Sequence, residues 1–399
     1  MKFAHLADCH LGGWRDPKMR AVNTEAFCKV IDACVEENVD FVLIAGDLFN
    51  TSLPPLDVLK SAVTKLNLLK KKDIPVYLIA GSHDFSPSGK SMLDVLEEAE
   101  LIVNVVKGKV TEEGKLSLRW TVDEKTGAKI TGMLGKKGTL EKSFYQSLDL
   151  DALEKEDGYK IFMFHSAIEE LKVKSMDHMP AQALSYLPKG CDYYAGGHVH
   201  IVQMSDMEGY GPLVYPGPVF PNSFSELEEL KRGSFVIVED GRIEHRPIQV
   251  YNVLSIDINA DHRSPDEVEH LIRHELKDHL FNQTLVLMRI RGMLETGRAT
   301  DIAFLDIFRE CYDRSAYMVL KNTSALTSKE FEEVKVSHRS VPELEAALLQ
   351  EHLAQIPIPG RDEACLALGL MDSLDQDKAE DERKADFESR LLGSVKRLL

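Results

Sequence analysis

The sequence predicts an α/β protein: a four-layer α/β/β/α sandwich with a small α/β capping domain and a helical C-terminal tail. Three observations predict it. Residues 1–100 alternate apolar runs with helically spaced segments, a βαβαβ pattern that implies parallel strands with helices outside. The following segments to about residue 250 read as strands between short helices, which supplies a second sheet. The pattern then changes near Asn252 and becomes mostly helical after about residue 325. The expected divisions are 1–251 for the sandwich, 252–325 for the capping domain and 326–399 for the helical region.

The elements follow in order. Lys2 to Ala7 is apolar and ends at Asp8. Met19 to Asn38 has helical spacing through Val22, Ala26, Val30, Ala33 and Val35. Phe41 to Ala45 is a buried strand ending at Gly46-Asp47. Pro55 to Lys71 is helical with proline at its start, and Pro75 to Ala80 is a strand ending at Gly81. Lys129–Leu134, Lys160–Phe164, Tyr193–Ala195, Leu213–Tyr215 and Ser234–Glu239 read as strands, and Asp240-Gly241 is a hairpin turn into Arg242–Arg246. In the third segment a helix starts at Ser264. Thr284–Arg291 reads as a strand, Phe304–Cys311 as a helix and Tyr317–Leu320 as a strand. The tail carries helices over Pro342–Gln355 and Glu363–Leu374, broken at Pro357-Ile358-Pro359-Gly360. An acidic, mobile link spans Asp375–Glu382. A last helix then places Phe387, Leu391, Val395 and Leu398 on one stripe. That stripe either packs on its own domain or, in the sharper reading, docks near residues 378–399 onto another protein.

Composition narrows the function. A net charge of −17 argues against a generic basic nucleic-acid binder. It leaves room for a nuclease, because divalent ions would offset the local charge and meet the phosphate themselves. No apolar run approaches the roughly 20 residues of a membrane span, and the N-terminus enters a strand directly. A cytoplasmic or nucleoid-associated protein is expected. The six scattered cysteines lack CxxC spacing and read as free thiols. Cys9 lies between two candidate ligands, and strand alternation points it the other way.

Five short clusters carry the chemistry: Asp8-Cys9-His10, Gly46-Asp47, Gly81-Ser82-His83-Asp84, Phe164-His165 and Gly197-His198-Val199-His200. Four of them follow an apolar run, and ligands of α/β folds sit beyond the carboxyl ends of strands. Carboxylate and imidazole suit divalent transition ions. A pair of such ions activates water and clamps both oxygens of a phosphodiester displacement. Spacing by two puts Asp8 with His10 on one face of a strand end, and gives His198 and His200 as two same-face imidazoles. A buried unpaired Asp47 would be costly, so it implies a partner. His5 is read as a core histidine. Arg15, Lys18 and Arg20 leave the first cluster directly and are candidate phosphate contacts.

This set resembles the calcineurin-like metallophosphoesterase superfamily. The fuller strings from His5 to Gly12, from Gly46 to Phe49 and from Tyr194 to His200 are similar to the double-strand-break repair nucleases of the meiotic-recombination family, whose bacterial counterpart is SbcD. The resemblance implies two manganese ions, the first held by Asp8, His10, Asp47 and His200. The second would be held by Asp47, His165, His198 and the residue at position 82. It implies His83 as the catalytic imidazole, with Asp84 as its orienting partner. It further implies 3′-to-5′ duplex exonuclease and single-strand endonuclease activity on DNA ends. The implied partners are a second copy of the chain and an SMC-like coiled-coil ATPase docked through the C-terminal helices. The apolar faces of Met19–Val35 and Pro55–Lys71 are candidate dimer surfaces, with the core as the competing use of both. Two positions depart from the family. Ser82 stands where Asn precedes the catalytic histidine, and Asn50 where many members have a further histidine. Competing readings are another metallophosphoesterase, such as a cyclic nucleotide phosphodiesterase or a protein phosphatase, and a weakly catalytic DNA-end scaffold whose second site is degraded at Ser82.

Overall fold

The computed structural model describes residues 1–85, 90–136, 140–177, 179–329, 363–377, 379, 382 and 384–398. Two six-stranded sheets face each other. The first has the order β16-β15-β1-β2-β3-β4, with β1 Lys2–Leu6, β2 Phe41–Ala45, β3 Val76–Ile79, β4 Val103–Asn104, β15 Gly233–Glu239 and β16 Arg242–Ile248. Strands β1 to β4 are parallel, and β15 joins β1 antiparallel. The β15–β16 turn has positive φ at both Asp240 (49°) and Gly241 (82°), the backbone a tight type I′ hairpin requires. The second sheet has the order β13-β14-β12-β9-β8-β7, with β7 Thr121–Val122, β8 Lys129–Met133, β9 Lys160–His165, β12 Tyr193–Gly197, β13 Val202–Ser205 and β14 Leu213–Pro216. Two small pairs complete the strands: β5 Gly108–Val110 with β6 Leu116–Leu118, and β10 Ala167–Ile168 with β11 Ala181–Gln182.

The strands are continuously apolar because both faces are buried. Phe41, Leu43 and Ala45 point between the sheets, where they meet Ile161, Met163, Tyr193 and Ala195. Val42 and Ile44 point outward to helices α1 (Pro17–Glu36) and α2 (Leu56–Lys71). On the far face of the second sheet, Phe162 and Phe164 pack with Tyr145 and Leu153 of the short helices α4 (Leu140–Gln146) and α5 (Leu150–Glu154). Helix α3 (Met92–Glu98) joins the first outer layer through Leu93 and Leu96. The apolar faces of α1 and α2 are therefore spent on the core: Met19, Val22, Ala26, Val30, Val58, Ala62 and Leu66 are buried there. Leu56, at the start of α2, is exposed. Asp16 caps α1, accepting from the backbone of Lys18 and Met19, so the helix starts two residues before the expected Met19.

Residues 252–328 form a three-stranded parallel sheet, β17 Asn252–Asn259, β18 Thr284–Leu294 and β19 Met318–Ser328. Helices α7 (Pro265–Leu276) and α8 (Phe304–Asp313) make the two crossovers. Ser264 and Glu267 form a capping box at the start of α7. The sequence expectation lacked β17, whose alternating exposed and covered residues give it little apolar signal, and it ended β19 at Leu320. One face of this sheet packs Val286, Met288 and Ile290 on α7 and α8. The other face sends Leu285 and Leu287 into the core that holds α1 and α2. Met1–Glu330 is accordingly one compact unit.

The second unit, Phe331–Leu399, is described through α9 (Glu363–Leu374) and α10 (Lys384–Leu398). They pack against each other, and Gly369 leaves room for the Leu398 side chain. The predicted stripe of Phe387, Leu391, Val395 and Leu398 is half-buried, whereas Leu368, Met371, Leu374 and Leu392 are exposed. The link expected to be mobile is held in its described residues. Arg390 reaches the Gln376 side chain, the Asp377 carbonyl and the Glu382 carboxylate. The expected helix over Pro342–Gln355 and its proline break lie outside the described residues.

Candidate metal centre

The first and last motifs converge through turns rather than through strand alternation. Strand β1 stops at Leu6, and Asp8 and His10 have left-handed backbones with φ of 51° and 42°. Asp47, His198 and His200 do too, at 52°, 93° and 54°. These five are among thirteen non-glycine residues with positive φ in the described chain, so backbone strain is concentrated here. The Asp8–His10 turn is held against the β2 turn by His10 N–H donating to the Asp47 carbonyl at 2.9 Å. The strand-period argument for these pairs thus fails, although the side chains do meet. Two motif glycines are needed for close approach: a Cβ at Gly46 would lie 2.1 Å from His165 Nδ1, and one at Gly81 would lie 2.2 Å from Asp47 Oδ1.

His10 Nε2 and His200 Nε2 face each other at 2.9 Å. Asp47 Oδ2 lies 3.6 Å from the former and Asp8 Oδ1 3.7 Å from the latter. His165 Nε2 approaches Asp47 Oδ2 at 3.1 Å, while its Nδ1 is fixed on the Ala45 carbonyl at 2.8 Å. Asp47 thus stands between both groups and can serve two ions. His83 donates its backbone N–H to Asp47 Oδ1 at 2.7 Å. Its Nδ1 is fixed on the Asn50 carbonyl at 2.9 Å, which leaves Nε2 for the pocket. Ser82 Oγ donates to Asp47 Oδ2 at 3.4 Å. The donor sets that converge closely enough for one ion are Asp8, His10 and His200; His10, Asp47 and His83; and Asp8, Asp47 and His165. His198 belongs to none of these. Its backbone N–H donates to both oxygens of Asp8 at 3.0 Å, and its ring lies 5.1 Å from that of His165.

The Asp84 side chain bonds to backbone groups. Its buried carboxylate accepts the backbone N–H groups of Leu48, Phe49 and Gly81 at 3.2, 3.0 and 3.1 Å, tying the second and third motif loops together. Arg15 and Lys18 are exposed, and Lys18 Nζ sits over the rings of Tyr312 and Tyr317. Arg20 lies in the first turn of α1, and none of the three lines the cavity over the cluster. Asn50 Oδ1 accepts from Asn222 at 3.3 Å. Cys9 is buried in the α1 core, and His5 lies between the sheets with Nδ1 3.0 Å from the Tyr193 hydroxyl. Sequence reasoning missed Glu226, whose Oε2 lies 3.1 Å from His200 Nδ1. Its signal was Ser223-Phe-Ser-Glu226, the Ser-x-x-Glu pattern of a helix start.

The cavity above the cluster measures about 410 Å³, and its lining includes the apolar side chains of Met176, Met179 and Ile201. Electrostatics inside it diverge. Burial depresses His10 and His198 to about 3, so both imidazoles are neutral. Burial would also depress His165 and His200, yet Asp47 lifts the first to about 10, and Asp8 and Glu226 lift the second to about 9. Burial favours neutral Asp47, but His165 and His10 hold its carboxyl far below the usual range. Burial and the nearby Asp47 raise Asp84 to about 7. Facing imidazole nitrogens and carboxylates within 4 Å fit divalent cations well. The same lone pairs without a cation rely on protons held at His165 and His200.

The family profile for calcineurin-like phosphoesterases matches residues 1–202. The chain belongs to the calcineurin-like phosphoesterase family. Curated relatives within reach of it are archaeal proteins named DNA double-strand break repair protein Mre11. That of Archaeoglobus fulgidus is 28% identical over 285 residues, covering 65% of this chain and 62% of its own length. That of Methanococcus maripaludis is 27% identical over 235 residues, covering 58% and 60%. That of Sulfolobus acidocaldarius is 26% identical over 313 residues, covering 73% and 74%. The chain therefore spans about six-tenths of the length of the first two. Calcineurin-like phosphoesterases use a dinuclear metal site, and the described residues of this chain include three candidate groups of metal ligands.

Proposed function

We propose that the chain is a manganese-dependent DNA nuclease that processes double-strand breaks, as a 3′-to-5′ exonuclease on duplex ends and an endonuclease on single strands. The observation that carries it is the convergence of Asp8, His10, Asp47, His165 and His200 on one centre beside His83. The similarity to the archaeal repair proteins supplies the substrate class. Asp8, His10, Asp47 and His200 would hold one ion; Asp47, His165, His198 and Ser82 would hold the other. Bound ions would lower the pKa of a water and neutralise the phosphate. The chain's own residues do the rest. Asp84 fixes the loops that present Asp47 and His83. The Asn50 carbonyl fixes His83 Nδ1–H, so Nε2 can carry a proton to the leaving 3′-oxygen. Met176, Met179 and Ile201 add apolar surface to the cavity lining, on which a nucleobase can lie.

The sheet at 252–325 would act as the DNA-facing cap, binding backbone and shape rather than sequence. The C-terminal helices would dock an SMC-like coiled-coil ATPase, a role supported by exposed Leu368, Met371, Leu374 and Leu392. A homodimer would use exposed Leu53, Leu56 and Val95, which a backbone bond from Met92 to Ser52 brings to one region. Among the described residues no helix is long and apolar enough to cross a membrane, which agrees with action at the nucleoid. The test is a labelled duplex and a labelled single strand with manganese. Cleavage that disappears in His83→Ala and in chelator is expected. An intact substrate, with cyclic nucleotides turned over instead, would overturn the nuclease reading.

A further inference from the structure

We propose that Glu226 is a positioning residue for His200, and that the helix carrying it is a fixed bracket for the metal centre. The inference rests on reading the cluster as a metal site. His200 offers Nε2 to the cluster, facing His10 Nε2 at 2.9 Å and Asp8 at 3.7 Å. An imidazole on a loop with a left-handed backbone has two ways to turn, and only one delivers Nε2. Glu226 Oε2, 3.1 Å from Nδ1, selects that orientation by accepting Nδ1–H. The selecting carboxylate is itself held. Its Oε2 accepts the Asn222 backbone N–H at 2.8 Å, and the Glu226 backbone N–H is capped by Ser223 Oγ at 3.2 Å.

The bracket is helix α6, Phe224–Leu230. Leu227 anchors one face in the core beneath α1. The next position, Glu228, takes a bidentate grip from Arg289 on β18, with Oε2 2.7 Å from Nη2 and 2.8 Å from Nε. Arg289 also donates to Ser225 Oγ at 3.1 Å and lies over the Phe224 ring. Glu228 accepts from Ser255 on β17 as well. One short helix is therefore held from the three-stranded sheet through Glu228 and holds His200 through Glu226. In an ordinary Ser-x-x-Glu start the glutamate would return to the N-cap N–H. Here the Glu226 side chain is used on Asn222 and His200, which is the departure that marks it as more than a cap.

The test is calorimetric titration of the full chain with manganese alone, with circular dichroism as the folding control. Glu226→Ala should weaken the tighter binding event by about 10- to 100-fold. Glu226→Gln keeps an oxygen that can accept Nδ1–H and should stay within about threefold of the original chain. Should the alanine variant fail to fold, the near-isosteric Glu226→Met takes its place with the same expectation. Unchanged affinity in the alanine or methionine variant would overturn the proposal. So would a glutamine variant as weak as alanine, because that pattern belongs to lost charge rather than lost orientation. Absence of manganese binding by the original chain would instead overturn the reading of the cluster as a metal centre, a result separable from both.

Discussion

The two halves of the centre are built to different standards. In the first, His10 and His200 bring imidazole nitrogens to 2.9 Å, two carboxylates stand within 3.7 Å, and Glu226 braces His200 from behind. In the second, His165 is braced by a backbone carbonyl, His198 joins no converging set, and position 82 offers a hydroxyl 3.4 Å from the shared Asp47. A serine hydroxyl is a shorter and poorer neutral ligand than an amide oxygen. The difference teaches that one half of the proposed site can be closely braced while the other offers fewer converging donors, so under the proposed two-ion reading the second ion is expected to depend more on ion concentration. The largest expected effect comes from the group the halves share. Asp47→Asn should abolish turnover and manganese binding together, read by a duplex cleavage assay and by calorimetry. Retention of the tight binding event in that variant would mean that the halves are independent.

Protonation separates the halves less sharply and can be counted. An imidazole must lose its proton to ligate. His200, raised to about 9 by Asp8 and Glu226 against burial, and His165, raised to about 10 chiefly by Asp47 against burial, are both charged at pH 7 in the metal-free chain. His10 and His198, depressed to about 3 by burial, have no proton to give. Each half therefore holds one proton that an ion must displace. Binding should release about two protons in all and tighten about tenfold per proton for each pH unit between 7 and 9. Calorimetry in buffers of different ionisation enthalpy reads the number directly. Release of a single proton would assign the charge to one half alone.

Much of this was legible beforehand, for identifiable reasons. The strand runs Phe41–Ala45 and Val76–Ile79 are apolar on both faces, and each ends at a glycine that lets a ligand approach, so fold and ligand positions share one signal. The way the ligands converge was not legible. Left-handed φ at Asp8 and His200 leaves no mark in side-chain periodicity, and strand alternation offered a wrong route to a correct pair. Glu226 was hidden because a Ser-x-x-Glu pattern ordinarily means only a helix start. The bonds of Asp84 were not legible because its sequence neighbour is His83, whereas its carboxylate accepts backbone N–H groups of Leu48 and Phe49 in the Gly46-Asp47 loop. Strand β17 escaped because Asn252, Ser255, Asp257 and Asn259 break its apolar run, with only Ile256 and Ile258 buried.

The smallest expected effects lie at Ser82 and ask what the second half lacks. The residue is 8% exposed, and its hydroxyl lies within hydrogen-bond reach of Asp47, the carboxylate both halves share, without adding charge. Ser82→Asn should tighten the weaker manganese event by about tenfold and leave the tighter one unchanged. Ser82→Ala removes the hydroxyl only. If Ser82 contributes a ligand atom, the weaker event should lose about threefold; if water fills that place, it should not move. Cleavage measured across manganese concentration then follows the same order: the asparagine variant reaches full rate at lower ion concentration, the alanine variant at equal or higher. An asparagine variant indistinguishable from the original in both readouts would show that position 82 does not limit the second half, and would move the asymmetry to His198, which is a member of none of the converging sets.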